Sequence, residues 1–165
     1  MARYNVTVES AAAIVATAPS GGSANALFGS LQAGASAGFK LRRVTLGVRA
    51  GTGAPTSQQL TVAMVRTTAR GTATATSTGN KLDPNSAASG ITGLDTAWST
   101  VPTATWTAPY LYEVSFNSQS GVDLPFELLE ELICASGTAN GIALLNVGNA
   151  LPSSHLYTAS LEWEE

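Results

Sequence analysis

At 165 residues the chain is expected to form one domain that buries about 68–70% of the surface its unfolded form exposes. Hydrophobic residues make up 44% and charged residues only 12%, which excludes a disordered tail, and a net charge of −3 weighs against nucleic acid as a partner. The charge is segregated: residues 1–81 hold all eight cations and one acid (+7), and residues 82–165 hold ten acids and no cation (−10).

In chain order, Tyr4, Val6 and Val8 alternate with Asn5, Thr7 and Glu9, the period of a half-buried strand. Asn5-Val6-Thr7 also matches a glycosylation sequon, with no secretory context to support it. Residues 1–23 are expected to be an N-terminal arm or first strand, ending at Pro19-Ser20-Gly21-Gly22-Ser23. Residues 11–18 imitate the apolar part of a signal peptide, but Glu9 stands directly upstream and Arg3 is the only basic residue before them, so a leader is rejected. A second strand sets Val44, Leu46 and Val48 against Arg43, Thr45, Gly47 and Arg49. After the turn Gly51-Thr52-Gly53-Ala54-Pro55, a third sets Leu60, Val62 and Met64 against Thr61, Ala63 and Val65.

Residues 69–109 read as a long excursion without firm secondary structure, opening on a Thr/Ala tract at 72–78; forty such residues are unusual in a compact domain, so part of the segment is expected to be edge strand or a packed excursion. Trp98 and Trp106 within it suggest a segment pinned down by the chain's own core or by a neighbouring copy. Tyr110, Tyr112, Val114 and Phe116 then mark a strand, and short apolar runs follow at 124–128, 132–135 and 142–147. Phe126, Leu129 and Ile133 have helical spacing with Asp123 as a possible N-cap; two strands joined at Glu130-Glu131 are favoured, because Pro125 and the short length count against a helix. Asn140-Gly141 signals a hairpin. The last strand sets Tyr157, Ala159, Leu161 and Trp163 against Thr158, Ser160, Glu162 and Glu164.

Chemistry is sparsely marked. Gly34-Ala35-Ser36-Ala37-Gly38 is a formal G-x-S-x-G, followed by Asp95 or Asp123 and then His155, the order of an α/β-hydrolase triad. That motif needs a strand–turn–helix setting, and here a strand follows it, so a working triad is not expected. His155 is the single imidazole and Cys134 the single thiol, so no intrachain disulfide or thiolate metal site can form. Carboxylates at Glu130-Glu131 and at Glu162, Glu164 and Glu165 read as solvated faces rather than a cation site, and pairs among Glu113, Asp123 and Glu127 specify no glycosidase. No cofactor, no metal and no catalysis are expected. No run approaches the roughly 20 apolar residues of a membrane helix, and no membrane partner is expected.

About eight short strands, Gly/Pro/Asn turns and little or no helix give an all-β antiparallel sandwich of jelly-roll type, a single domain over residues 24–165. Opposite potentials attract over a Debye length of about 8 Å at physiological salt, so the two charged halves should interleave within the domain or meet between copies. Interleaving would lay the basic strand 40–49 beside an acidic one, 110–117 or 156–164. The run from Phe39 to Thr72, the segment LDPNSAAS, the Trp98 to Trp106 stretch and the closing HLYTASLEWEE resemble jelly-roll decoration, or cement, proteins of tailed bacteriophages. The resemblance implies a virion protein on the capsid exterior, made in the host cytoplasm, that binds the major capsid protein as a stabilising homotrimer. A low-charge surface of small residues suits such a subunit. Contact residues chosen on chemistry are Arg3, Tyr4, Arg42, Arg43, Arg49, Trp98, Trp106, Glu162 and Glu164. The rival reading is a carbohydrate- or receptor-binding module of a tail or head fibre, with Trp98, Trp106, Tyr110 and Tyr112 as a stacking platform.

Overall fold

The computed structural model describes residues 1–9, 26–50, 56–151 and 155–165. The arm beyond Glu9, the apolar stretch 11–18, the turn 51–55 and Pro152 lie outside the described residues. Among these residues thirteen strands form two antiparallel sheets packed face to face: β1 (Arg3–Glu9), β2 (Leu27–Gln32), β3 (Phe39–Ala50), β4 (Gln59–Ala69), β5 (Thr72–Ser77), β6 (Asn80–Lys81), β7 (Gly93–Thr100), β8 (Thr103–Ala104), β9 (Tyr112–Asn117), β10 (Val122–Pro125), β11 (Leu132–Cys134), β12 (Gly141–Asn146) and β13 (His155–Glu164). Sheet A runs β10-β3-β13-β1-β6, with β11 sharing the β10 edge of β3. Sheet B runs β5-β7-β2-β12-β4-β8, with β9 also on β4.

Without β5–β8, the rest reduces to two four-stranded layers, β10/β11-β3-β13-β1 and β2-β12-β4-β9. That is the strand arrangement of an eight-stranded jelly roll. The expected excursion is an insertion between β4 and β9. Edge strand was expected for part of it; among the described residues it carries four strands, which extend both sheets. Its loop is tied down where Tyr4 Oη donates to Ala87 O (3.0 Å) and the Glu165 carboxylate accepts from Gly90 N–H (2.8 Å).

Period-two alternation survives where one face of a sheet meets the core. β13 buries every second residue, and Trp163 stacks on Tyr4 with ring centroids 5.8 Å apart. β2 and β12 are buried on both faces, because the insertion roofs the outer face of sheet B. A second apolar cluster forms there from Leu27, Val65, Trp98, Ala143 and Leu145, covered by Val101, Ala104, Trp106 and Tyr110.

Two local expectations are revised. No helix forms over 126–134. Strand β10 ends at Pro125, so only the first two residues of the 124–128 run are extended, and 126–131 is a loop. Asn140-Gly141 is not a hairpin turn, since β11 pairs in sheet A and β12 in sheet B. Glycine is needed at 141 for closeness: a Cβ there would lie 2.7 Å from Gln32 Oε1 and Leu31 O. Of the two acidic partners expected for the basic strand β3, the structure pairs it with β13, while β9 pairs with β4.

Candidate functional site

The segregated charges meet inside the subunit. Across β3 and β13 the register sets Arg43 opposite Glu162 and Lys40 opposite Glu164. Arg43 clasps Asp123 with Nε–Oδ1 2.8 Å and Nη2–Oδ2 2.6 Å. That clasp, with help from the Thr45 hydroxyl, holds the Asp123 carboxyl at about 2 against its burial. Arg42 pairs with Glu131 and approaches Glu164, Arg49 meets Glu9 at 2.9 Å, and Arg70 meets Asp95 at 2.7 Å. Of the two outlets open to the charge pattern, the intrachain one is realised, so segregation by itself no longer argues for a neighbour.

The expected contact residues are scattered by this packing. Tyr4 and Trp98 are buried and serve the subunit's own packing, one beneath each sheet. Arg42, Arg43 and Arg49 are held by acids of the same chain. Trp106, Glu162 and Glu164 are half-buried, and Arg3 is exposed. The aromatic platform is not assembled: Trp98, Trp106 and Tyr110 roof sheet B, whereas Tyr112 makes an edge contact with Phe126 at 5.6 Å. Nor is the triad. His155 pairs with Ala50 at one end of β3, and Ser36 lies just before the other end, on the order of 30 Å away along the strand. His155 Nε2 accepts from Thr56 N–H (3.1 Å), and Asp95 is occupied by Arg70. Cys134 is buried, and burial pushes its thiol up. Among the described residues no three metal-ligating groups gather.

What the structure does gather is apolar surface. Apart from Met1 and Leu82, the large hydrophobic side chains exposed among the described residues, Leu111, Tyr112, Leu128, Leu129 and Ile133, lie along the edge where β9 of sheet B faces β10 and β11 of sheet A. Contacts run along this edge in a chain. Tyr112 touches Phe126, whose N–H donates to Arg42 O (2.8 Å); Arg42 holds Glu131, whose Oε2 accepts from Leu129 N–H at 2.8 Å. Arg66 bridges the sheets by donating to Ile133 O.

The tip of this edge is unusual. Leu128 is 72% and Leu129 90% exposed, and Leu129 adopts the left-handed conformation with φ of 76°, the only non-glycine residue described that does so. A leucine is strained there, and strain of this kind collects at functional sites. Glu131 anchors the turn. Its carboxyl is held below the usual range by its own backbone N–H, then by Leu129 N–H and the Arg42 charge. Glu127 and Glu130 flank the tip and are exposed. Sequence reasoning missed these leucines because an apolar run reads as buried. The signal was there: in Glu127-Leu128-Leu129-Glu130 an extended chain must turn one leucine outward.

Family models, curated proteins and solved structures were compared with the chain, and none matches.

Proposed function

We propose that this protein is a structural subunit of a virion, a decoration protein that binds the outside of a capsid shell and stabilises it without catalysis. The observation that carries the binding role is the apolar edge, with its strained Leu128-Leu129 tip set between exposed acids. Apolar side chains massed on one part of a low-charge surface mark a protein-binding site. The virion setting is supported by the resemblance to decoration proteins and by the jelly-roll frame; the three-fold ring is carried by that resemblance alone.

The test is direct. Empty shells of the virus whose genome encodes the chain are mixed with purified protein and pelleted. Saturable co-sedimentation at a fixed ratio to the major capsid protein, with a raised dissociation temperature of the shell, is expected. Protein left in the supernatant at about 100 μM, a concentration that would reveal even weak association, overturns the reading.

A further inference from the structure

Sheet B ends on β9, and among the described residues β9 pairs only with β4, in unbroken register from Tyr112 to Asn117. Ser118 donates its N–H to Gln58 O at 2.8 Å, which fixes the phase of the antiparallel pattern. Phe116, Val114 and Tyr112 therefore direct their backbone groups toward β4, and Asn117, Ser115 and Glu113 direct theirs away. The Asn117 carbonyl agrees, because it accepts from Ser120 and Gly121 in the turn outside the ladder. Side chains of Glu113, Ser115 and Asn117 are exposed. Natural edges are protected by proline, bulges or repeated charge; β9 has neither proline nor bulge, and only Glu113 as a charge.

We propose that β9 pairs antiparallel with β9 of a second copy about a two-fold axis at Ser115, and that each Leu128-Leu129 tip seats in a cleft of the other copy. In that register Ser115 faces Ser115, Glu113 faces Asn117, and Val114 faces Phe116 on the core side. The two Glu113 carboxylates then stand about 13 Å apart along the strands, whereas centring on Val114 would bring them within about 7 Å. The ends of the edge complement each other. Beyond Tyr112 lies the leucine tip. Beyond Asn117 lies a cleft of about 340 Å³, floored by Gly47 and lined by Leu46, Val48, Ser118, Gly121 and Val122. It exists because β10 pairs with β3 only as far as Leu46, leaving Gly47 and Val48 uncovered by any described strand on that side. A two-fold axis reverses the edge, so each tip arrives opposite the other's cleft, the self-complementarity that an isologous contact requires. The contact joins free subunits through the same leucine tip that the proposed function gives to the shell, so a subunit on the shell would have to give up this pairing, and the pairing itself is tested without any shell.

The experiment is sedimentation equilibrium from about 1 to 100 μM, with three variants. Ser115→Pro removes an outward N–H that the subunit's own ladder does not use, a position where an edge strand tolerates proline. It should weaken dimerisation at least tenfold while leaving the melting temperature within about 2 °C. Ser115→Cys should form an intersubunit disulfide on mild oxidation, since facing residues in a hydrogen-bonded pair lie about 5.5 Å apart at Cα. Wild type, with Cys134 buried, should form none. Leu129→Gly should weaken the dimer as well, while raising the melting temperature. A chain that stays monomeric, a trimer with no dimer, or a folded Ser115→Pro variant that dimerises undiminished overturns the proposal. Should Ser115→Pro fail to fold, absence of the Ser115→Cys cross-link overturns it instead.

Discussion

On sheet A, Arg43 and Arg49 meet Asp123 and Glu9 in contact with water, while Arg42 and Glu131 pair largely shielded from it; on the outer face of sheet B, Trp106 and Tyr110 lie over Trp98, Val65, Ala143 and Leu145. One sheet is finished by charge pairs and the other by a third layer of chain. The difference comes from the insertion between β4 and β9, which folds back only over sheet B. It explains why β2 and β12 show no alternation while β13 shows it throughout. It also separates two kinds of stabilisation, burial beneath the roof and screened pairs on the open face, and substitutions should grade accordingly.

The largest effects are expected where burial dominates. Trp163 is fully buried between the sheets, and Trp163→Ala should cost about 3–5 kcal/mol in urea unfolding. Trp98→Ala, under the roof, should cost about 3 kcal/mol, at the lower end of that range. Hydrogen exchange sharpens the contrast: the Trp98 variant should lose protection first over residues 97–110 while β3 and β13 keep theirs. Uniform loss across both sheets would show that roof and core unfold as one unit.

Sheet B also holds an ion pair, and its acid is the most deeply buried of the paired carboxylates described. Asp95 is inaccessible to water and takes Arg70 in a fork (2.8 and 2.7 Å) together with the Thr76 hydroxyl; the Arg70 side chain is 31% exposed. Removing the acid strands a cation that can partly rehydrate, so Asp95→Ala should cost about 2–3 kcal/mol, below the usual range for a fully buried pair. A change under about 0.5 kcal/mol would mean that the pair contributes nothing net.

How far the sequence disclosed this architecture follows the same division. β1, β3, β9 and β13, with one wet face, and β4, whose sequence alternates although 62–65 is buried throughout, were readable from period two, and together with three short apolar runs they led to the jelly roll. β5, β7 and β8 were not, because Thr/Ala repeats carry little hydrophobic contrast, and β5 meets β7 through three register shifts. The pairing of β3 with β13 was foreseeable from charge. The edge was less so, since exposure of Leu128 and Leu129 depends on Pro125 ending β10 and on Glu131 turning back to cap Leu129, neither of which alternation encodes.

The leucine tip allows a prediction of opposite sign. A left-handed leucine costs roughly 1–2 kcal/mol relative to glycine, partly offset by the greater entropy glycine loses on folding. Leu129→Gly should therefore stabilise the monomer by about 0.5–1 kcal/mol, read as a higher urea midpoint at unchanged slope. A destabilised variant would show that the exposed side chain packs within its own subunit.

The smallest effect belongs to the open face of sheet A. Asp123 has its carboxyl held at about 2, chiefly by its hydrogen bonds from Arg43. A depressed carboxyl adds stability above its ordinary value near 3.8, and that contribution is lost as pH falls toward about 2, because the unfolded chain takes up the proton first. Asp123 is 43% and Arg43 46% exposed, so water and salt screen most of the attraction. Asp123→Asn should lower the melting temperature by less than about 2 °C at neutral pH, and the difference from wild type should vanish near pH 2 and shrink in 1 M salt. Asp95→Ala, measured alongside, should keep most of its deficit in 1 M salt, because Asp95 is inaccessible to water and so to counter-ions, although Arg70 is 31% exposed.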